Sequence, residues 1–159
     1  MPIHFAFLNQ CQFSMKKIVF LLCLLFAIGA QAQLWENSFD HALSKANAED
    51  KPIVLVFSGS DWCGPCIRFK KKVLDSEEFT SYAEQNYVLY NADFPRKSKN
   101  ALPQEKLNSN KSLAEKYNPK GHFPMVVVLD KNESVLGTTG FDKRKTPSKY
   151  IDLFNGYVK

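Results

Sequence analysis

Apolar residues recur at helical spacing between Asn37 and Asp50, where Phe39, Ala42, Leu43 and Ala46 share one face. Ser38 stands at the N-cap of that segment, and Lys51-Pro52 ends it. Ile53-Val54-Leu55-Val56-Phe57 follows as an unbroken, β-branched-rich run, the pattern of a strand buried on both faces. A polar turn, Ser58 to Asp61, leads through Trp62 to Cys63-Gly64-Pro65-Cys66. From Ile67 to Gln85 the pattern is helical again. Ile67, Phe69, Val73 and Leu74 form the apolar face, and Arg68 and Lys70 to Lys72 are a solvated one. Asp75-Ser76 breaks this helix and recaps it before Glu77-Glu78-Phe79.

Tyr87 to Ala92 predicts a second strand. Asp93 to Ser112 is polar and carries Pro95 and Pro103, so it is expected as a loop with a helical turn or two, with a short helix from Ser112 to Tyr117. Pro124 to Leu129 is a third strand, Asp130 to Glu133 a hairpin turn, and Ser134 to Gly137 a fourth strand. Thr146-Pro147 opens a last helix that reaches Val158. The order α, β, α, β, α, β, β, α, with a crossover first and a hairpin last, predicts an α/β fold. Its mixed central sheet of about four strands is flanked by helices. No internal repeat or interdomain linker interrupts it.

The N-terminal region has a different character. Lys16 and Lys17 precede an apolar run from Ile18 to Ala30, and Ala30-Gln31-Ala32 follows as a small-x-small triplet. These are the parts of a secretory signal peptide. At about 13 residues the run falls short of the ~20 that span a bilayer. Cleavage after Ala32 is expected, leaving residues 33–159 as one domain. The segment before Met15 has no charge to open a signal, so translation is expected to begin at Met15. Cys23 lies inside the apolar run behind Leu21-Leu22, a setting unsuited to lipidation.

Composition narrows the classes. At 159 residues with 45% hydrophobic and 23% charged positions, the chain is globular rather than disordered or repetitive. The formal charge of +5 is mild and diffuse, so nucleic acid is not an expected partner. Beyond the presequence only Cys63 and Cys66 remain. A Cys-x-x-Cys pair serves zinc sites as well as redox sites. Zinc would need two further ligands, and only His41 and His122 remain to supply them. A purely structural bridge would close so small a loop that it constrains the unfolded chain little. Redox chemistry is the expectation, without metal or cofactor. Cys63, at the helix edge, is set to be the thiolate, and Cys66, one turn inside, the less exposed resolving thiol. Pro65 suits a first helical turn, and Gly64 removes bulk beside the attacking sulfur.

Trp62-Cys63-Gly64-Pro65-Cys66 after a buried strand resembles the active-site signature of the thioredoxin family, and the element order resembles the thioredoxin fold. The likeness runs from about Phe39 to Val158 and looks most like secreted thioredoxin-like proteins of bacteria. It implies that Cys63 attacks a partner disulfide and that Cys66 resolves the mixed disulfide. It also implies that Trp62 shapes the site and that Pro124, in cis after Phe123, faces the cysteines, with the Phe123 backbone pairing with the partner chain. Two departures stand out. Where the family has a buried acid to take the proton of the second cysteine, this sequence has Phe57; where it has a buried lysine, Leu89. Proton removal from Cys66 then falls to water, a partner or another group, with Asp61 a candidate. The segment Asp93 to Ser109 is also longer than the family core needs, and is read as a surface insertion or a partner-facing loop.

The resemblance therefore implies a thiol–disulfide oxidoreductase of the periplasm or the secreted space. It would act as a monomer on protein disulfides, most simply as a reductant, because a Gly-Pro pair between the cysteines resembles reducing members. A reductant there needs a membrane thiol carrier as electron donor, and cytochrome c maturation is one fitting client process. An oxidase or isomerase is the alternative within the class. A thioredoxin-fold binding or chaperone module, or a peroxidase on the same fold, is the alternative outside it. His122, beside the cis-proline position, is a candidate to tune Cys63 or else an exposed loop residue.

Overall fold

Alternate residues of one strand divide the core into two layers. The first strand, β1 (Ile53–Ser58), is buried along its whole length and lies inside a four-stranded sheet of order β2-β1-β3-β4. The structure is a computed structural model that describes residues 34–159. The signal peptide, the Met15 start and Cys23 lie outside the described residues.

β2 (Val88–Asp93) runs parallel to β1, while β3 (Met125–Leu129) pairs antiparallel with β1 and β4 (Val135–Gly140) antiparallel with β3. Val54 and Val56 face one way, into a cluster with Leu89, Val126 and Val128. That layer is closed by Phe69, Val73 and Leu74 of α2 (Gly64–Phe69, continued to Leu74 by a wider π turn), by α3 (Glu77–Asn86) and by α5 (Pro147–Val158). Ile53, Leu55 and Phe57 face the other way, against α1 (Phe39–Glu49) and α4 (Gln104–Tyr117). Each fully buried large side chain contributes roughly 1.5–3 kcal/mol of transfer free energy. A strand buried on both faces is therefore the hardest element to move.

The helices begin where the sequence supplies caps. Ser38 Oγ accepts from His41 N, Ser76 Oγ from Phe79 N and Thr146 Oγ1 from Lys149 N. The hairpin forms because the Asp130 carboxylate accepts from the backbone amides of Asn132 and Ser134, each at 2.8 Å.

Two spans differ from expectation. Gln104–Tyr117 is one continuous helix of 14 residues, not a loop with a short helix from Ser112. Its few apolar side chains left a weak periodic signal. One of its core-facing residues is Asn110, a polar residue with 0% exposure. β4 also runs to Gly140, past the expected end at Gly137, because Thr138, Thr139 and Gly140 pair with Val127, Val126 and Met125.

Asn110 is held by two bonds. Tyr90 Oη donates to its Oδ1 at 2.8 Å, and its Nδ2 donates to the Asp93 carbonyl at 2.9 Å. It thereby ties α4 to the end of β2. Asn110→Ala leaves a buried hydroxyl and a carbonyl unpaired and should destabilise the protein by about 2–3 kcal/mol, read from the urea midpoint. A change below about 0.5 kcal/mol would show that these groups find other partners.

Candidate active site

Chain direction puts the chemistry at one end of the sheet. β1 ends at Ser58, and the turn through Gly59, Ser60 and Asp61 hands the chain to Trp62 and then to α2. Cys63 is the N-cap of α2 in extended conformation, with Pro65 in the first turn and Cys66 inside it. The two sulfurs are joined as a disulfide. The Cys66 backbone N–H donates to Cys63 Sγ at 3.2 Å, a bond that favours negative charge on that sulfur when the pair is open.

In the disulfide form exposure does not separate the two cysteines, at 5% for Cys63 and 4% for Cys66. Their surroundings do. Cys63 stands at the helix end beside the exposed Trp62, whereas Cys66 lines a cleft of about 640 Å³ together with Val56, Ser58, Asn91, Asp93 and Pro124. Nothing crowds Gly64, since a Cβ there would meet only the Arg68 guanidinium, at an ordinary 3.7 Å.

The Phe123–Pro124 peptide bond is cis. The approach to it is fixed by Asn118, a buried residue whose Oδ1 accepts from His122 N at 2.9 Å and whose Nδ2 donates to His122 O at 2.8 Å. The turn between them needs a left-handed residue, which is Gly121 at φ 65°. His122 itself is exposed, and its backbone is what the turn uses.

Trp62 is more than an exposed aromatic. Its indole N–H donates to the Phe94 carbonyl at 2.7 Å, its ring meets Phe123 edge-on at 5.5 Å, and the Arg96 guanidinium lies 3.8 Å over its face. Phe94 also packs on Phe123, at 5.6 Å. Gly59 lets the indole lie against the turn, because a Cβ there would come within 2.3 Å of the ring.

The start of the long polar segment after β2 is thus a wall of the site. Asp61 holds it there. Its carboxylate accepts from Arg96 N, Lys97 N and Asn100 Nδ2, each at 2.9 Å. The Arg96 amide first, then Asn100 and Lys97, outweigh partial desolvation and pull its pKa down to about 2. With its pKa held that low, and with no place in the cleft that Cys66 lines, Asp61 is a clamp and a poor proton acceptor for that sulfur.

Phe57 points away from Cys66, into the layer with Tyr90, Val127 and Leu129, while Leu89 lies in the opposite layer with Val54 and Val56. The β1 side chains on the Cys66 side are Val56 and Ser58, so no carboxylate reaches that sulfur from β1. Asp93 accepts from Ser60 N at 2.8 Å, Ser60 Oγ at 2.5 Å and Ser58 Oγ at 3.0 Å. Ser58, Asn91, Asp93, Phe94, Arg96 and Asn118 were not legible as site residues, because they converge only when β1, β2 and the turn before β3 lie side by side. Among the described residues no group of three or more His, Cys, Asp and Glu side chains is arranged to hold a metal ion.

The depressed pKa of Asp61 gives a pH prediction with a definite sign. A carboxyl lowered in the fold stabilises above its unfolded value, near 3.9, and that contribution is lost as pH falls through about 2. Backbone amide signals of Arg96 and Lys97 should hold steady from neutrality to pH ~4 and move together with a midpoint near 2. Asp61→Ala should free residues 94–100 at neutral pH, read as faster limited proteolysis there. Amide signals that already move near pH 4 would mean that Asp61 is not clamped.

Residues 34–131 match the thioredoxin-like family. One relative is the disulfide bond reductase DsbH of Chlamydia pneumoniae, 36% identical over 113 residues that make up 71% of this chain and 66% of that protein. A second, the thioredoxin-related protein DsbJ of the same organism, is 28% identical over 120 residues, which cover 75% of this chain and 33% of its own length. The chain therefore spans just under two thirds of the first relative and a third of the second. A solved structure described as DsbH oxidoreductase superposes with a TM-score of 0.72 at 32% identity, over 83% of this chain and 88% of that one. The first relative is a disulfide bond reductase by name, the second a thioredoxin-related protein, and the solved structure an oxidoreductase. With four strands in mixed array, helices on both faces and a Cys-x-x-Cys disulfide at the end of the buried strand, the chain belongs to the thioredoxin-like family.

Proposed function

We propose that this chain is a thiol–disulfide oxidoreductase of the cell envelope that reduces protein disulfides through the Cys63–Cys66 couple. The observation that carries the reading is the Cys63–Cys66 disulfide at a helix start, with the Cys66 amide aimed at Cys63 Sγ. In the reduced protein that amide would hold Cys63 as a thiolate. Cys63 Sγ attacks one sulfur of a partner disulfide, forming a mixed disulfide and releasing the other partner sulfur as a thiolate. Cys66 then attacks Cys63 Sγ, reforming the internal disulfide and freeing the second partner thiol. The two electrons pass from the protein to its substrate.

Trp62, Phe123 and Pro124 form the rim against which an extended partner segment would lie, with the Phe123 backbone as its pairing edge. Gly64 leaves the approach to Cys63 open. A membrane thiol carrier would return the two electrons, and the signal sequence ending at Ala32 would deliver residues 33–159, acting as a monomer, to the periplasm. The relative named as a disulfide bond reductase supports the reducing direction, as does the Gly-Pro pair between the cysteines.

The test is insulin reduction with dithiothreitol as electron source. The protein should accelerate precipitation of the insulin B chain, and Cys63→Ser should abolish the effect. Cys66→Ser should accumulate mixed disulfides that vanish on reduction. A potential nearer −270 mV than −120 mV is expected for a reductant. No acceleration together with no captured partner would end this reading.

A further inference from the structure

Cys66 has a proton problem that the site as described does not solve. For its sulfur to attack Cys63 it must first lose a proton, because the thiolate is the nucleophile. Yet Cys66 is 4% exposed, and β1 offers it only Val56 and Ser58. The way out is the cleft of about 640 Å³ whose wall it forms. That volume far exceeds the ~30 Å³ that one water occupies in the liquid.

Carboxylates reach this cleft from different elements, and most are already matched by a cation. Glu36 accepts from Lys45 Nζ at 2.7 Å and is paired with His41. Burial raises its pKa, but Lys45 and His41 outweigh that and favour the ionised carboxylate. Asp75 is paired with Lys70. Lys71 and Lys106 line the cleft as well and add positive charge to it. Asp93 differs. Its carboxylate meets the Ser58 and Ser60 hydroxyls and the Ser60 amide, and no cation pairs with it among the described residues. The Ser58 hydroxyl lies between Asn91 Oδ1 at 2.7 Å and Asp93 Oδ1 at 3.0 Å. Ser58 and Asp93 are also cross-strand partners in the β1–β2 register. The backbone of Asp93 is pinned by Asn110.

We infer that Asp93, across the cleft it shares with Cys66, is the positioned base that takes the Cys66 proton through water during resolution of the mixed disulfide. The inference rests on the oxidoreductase reading above. The Cys66 S–H bond breaks and its proton passes along water to the Asp93 carboxylate. The Cys66 sulfur then bonds to Cys63 Sγ, and the bond from Cys63 to the partner sulfur breaks. The partner leaves as a thiolate and is reprotonated from solvent, while Asp93 returns its proton to the cleft water. When an external dithiol reopens the couple, the same path runs backwards and Cys66 regains its proton. Asp93 acts through water, so it is a positioning residue, and pH dependence is its signature.

The test follows the reduced protein against a chromogenic nitrobenzoate disulfide. One burst of coloured thiolate reports attack by Cys63 and a second reports resolution by Cys66. Asp93→Asn keeps an acceptor for Ser60 but cannot hold the proton. It should leave the first burst unchanged and slow the second by about 100-fold at pH 6–7, the low end for general-base catalysis. The deficit should close toward pH ~9, where a thiol ionises unaided. Added formate should restore part of the lost rate. Asp93→Glu covers the case in which Asp93→Asn does not fold. With its carboxylate displaced by a methylene, it should slow only the second burst, and less than Asn does. A second burst with wild-type rate and pH profile in either folded variant overturns the inference, as does an equal loss in both bursts at every pH. A wild-type protein that gives no first burst would instead overturn the oxidoreductase reading.

Discussion

Burial of β1 on both faces is the constraint from which the rest of the molecule follows. Its six residues are covered on each side by helices and hydrogen-bonded along both edges, to β2 and to β3. Moving its end would open two core layers at once. Ser58 is therefore a fixed point, and the turn that leaves it sets where Cys63 and the start of α2 stand. A helix begun on so firm a base presents its first amides in a constant direction, which is what the Cys66 N–H contact with Cys63 Sγ requires. In the proposed exchange, that rigidity would hold in place two of the three sulfurs that must meet.

Around that fixed point the site is held by polar residues acting on backbone. Asp61 grips the amides of Arg96 and Lys97, Asp93 grips the amide of Ser60, Asn110 grips the carbonyl of Asp93, and Asn118 grips both backbone groups of His122. Each of these side chains satisfies backbone groups of a loop that would otherwise depend on water. The aromatic rim of Trp62, Phe94 and Phe123 rests on these clamps. Loops that face a partner gain defined shape this way without becoming part of the sheet. The stretch after β2 is accordingly one continuous piece of architecture, running from a wall segment into a 14-residue helix that closes the second core layer.

The two sides of Cys63–Cys66 differ in kind. The Cys63 side is aromatic, with Trp62 exposed beside it. The Cys66 side opens into a cleft lined by hydroxyls, amides and charge.

Much of this was readable along the chain. The run from Ile53 to Phe57 announced a doubly buried strand, because only such a strand tolerates unbroken apolar residues. Cys63-Gly64-Pro65-Cys66 announced sulfur chemistry at a helix start, because Pro is welcome there and two cysteines at that spacing can close on each other. Ser38, Ser76 and Thr146 marked helix starts through a purely local bond. The helix from Gln104 was missed because its buried face includes Asn110, whose partners Tyr90 and Asp93 lie more than a dozen residues away. Which side of the sheet Phe57 faces was equally hidden, since side chains alternate with each residue and one step in alignment exchanges the two layers. Local spacing determined the elements and the reactive pair, because caps, periodicity and ring closure act over a few residues. Only the tertiary structure decided that Asp61 is a clamp, that residues 94–100 wall the site and that Asp93 shares a cleft with Cys66. Those facts depend on strands and loops distant in the chain being laid edge to edge.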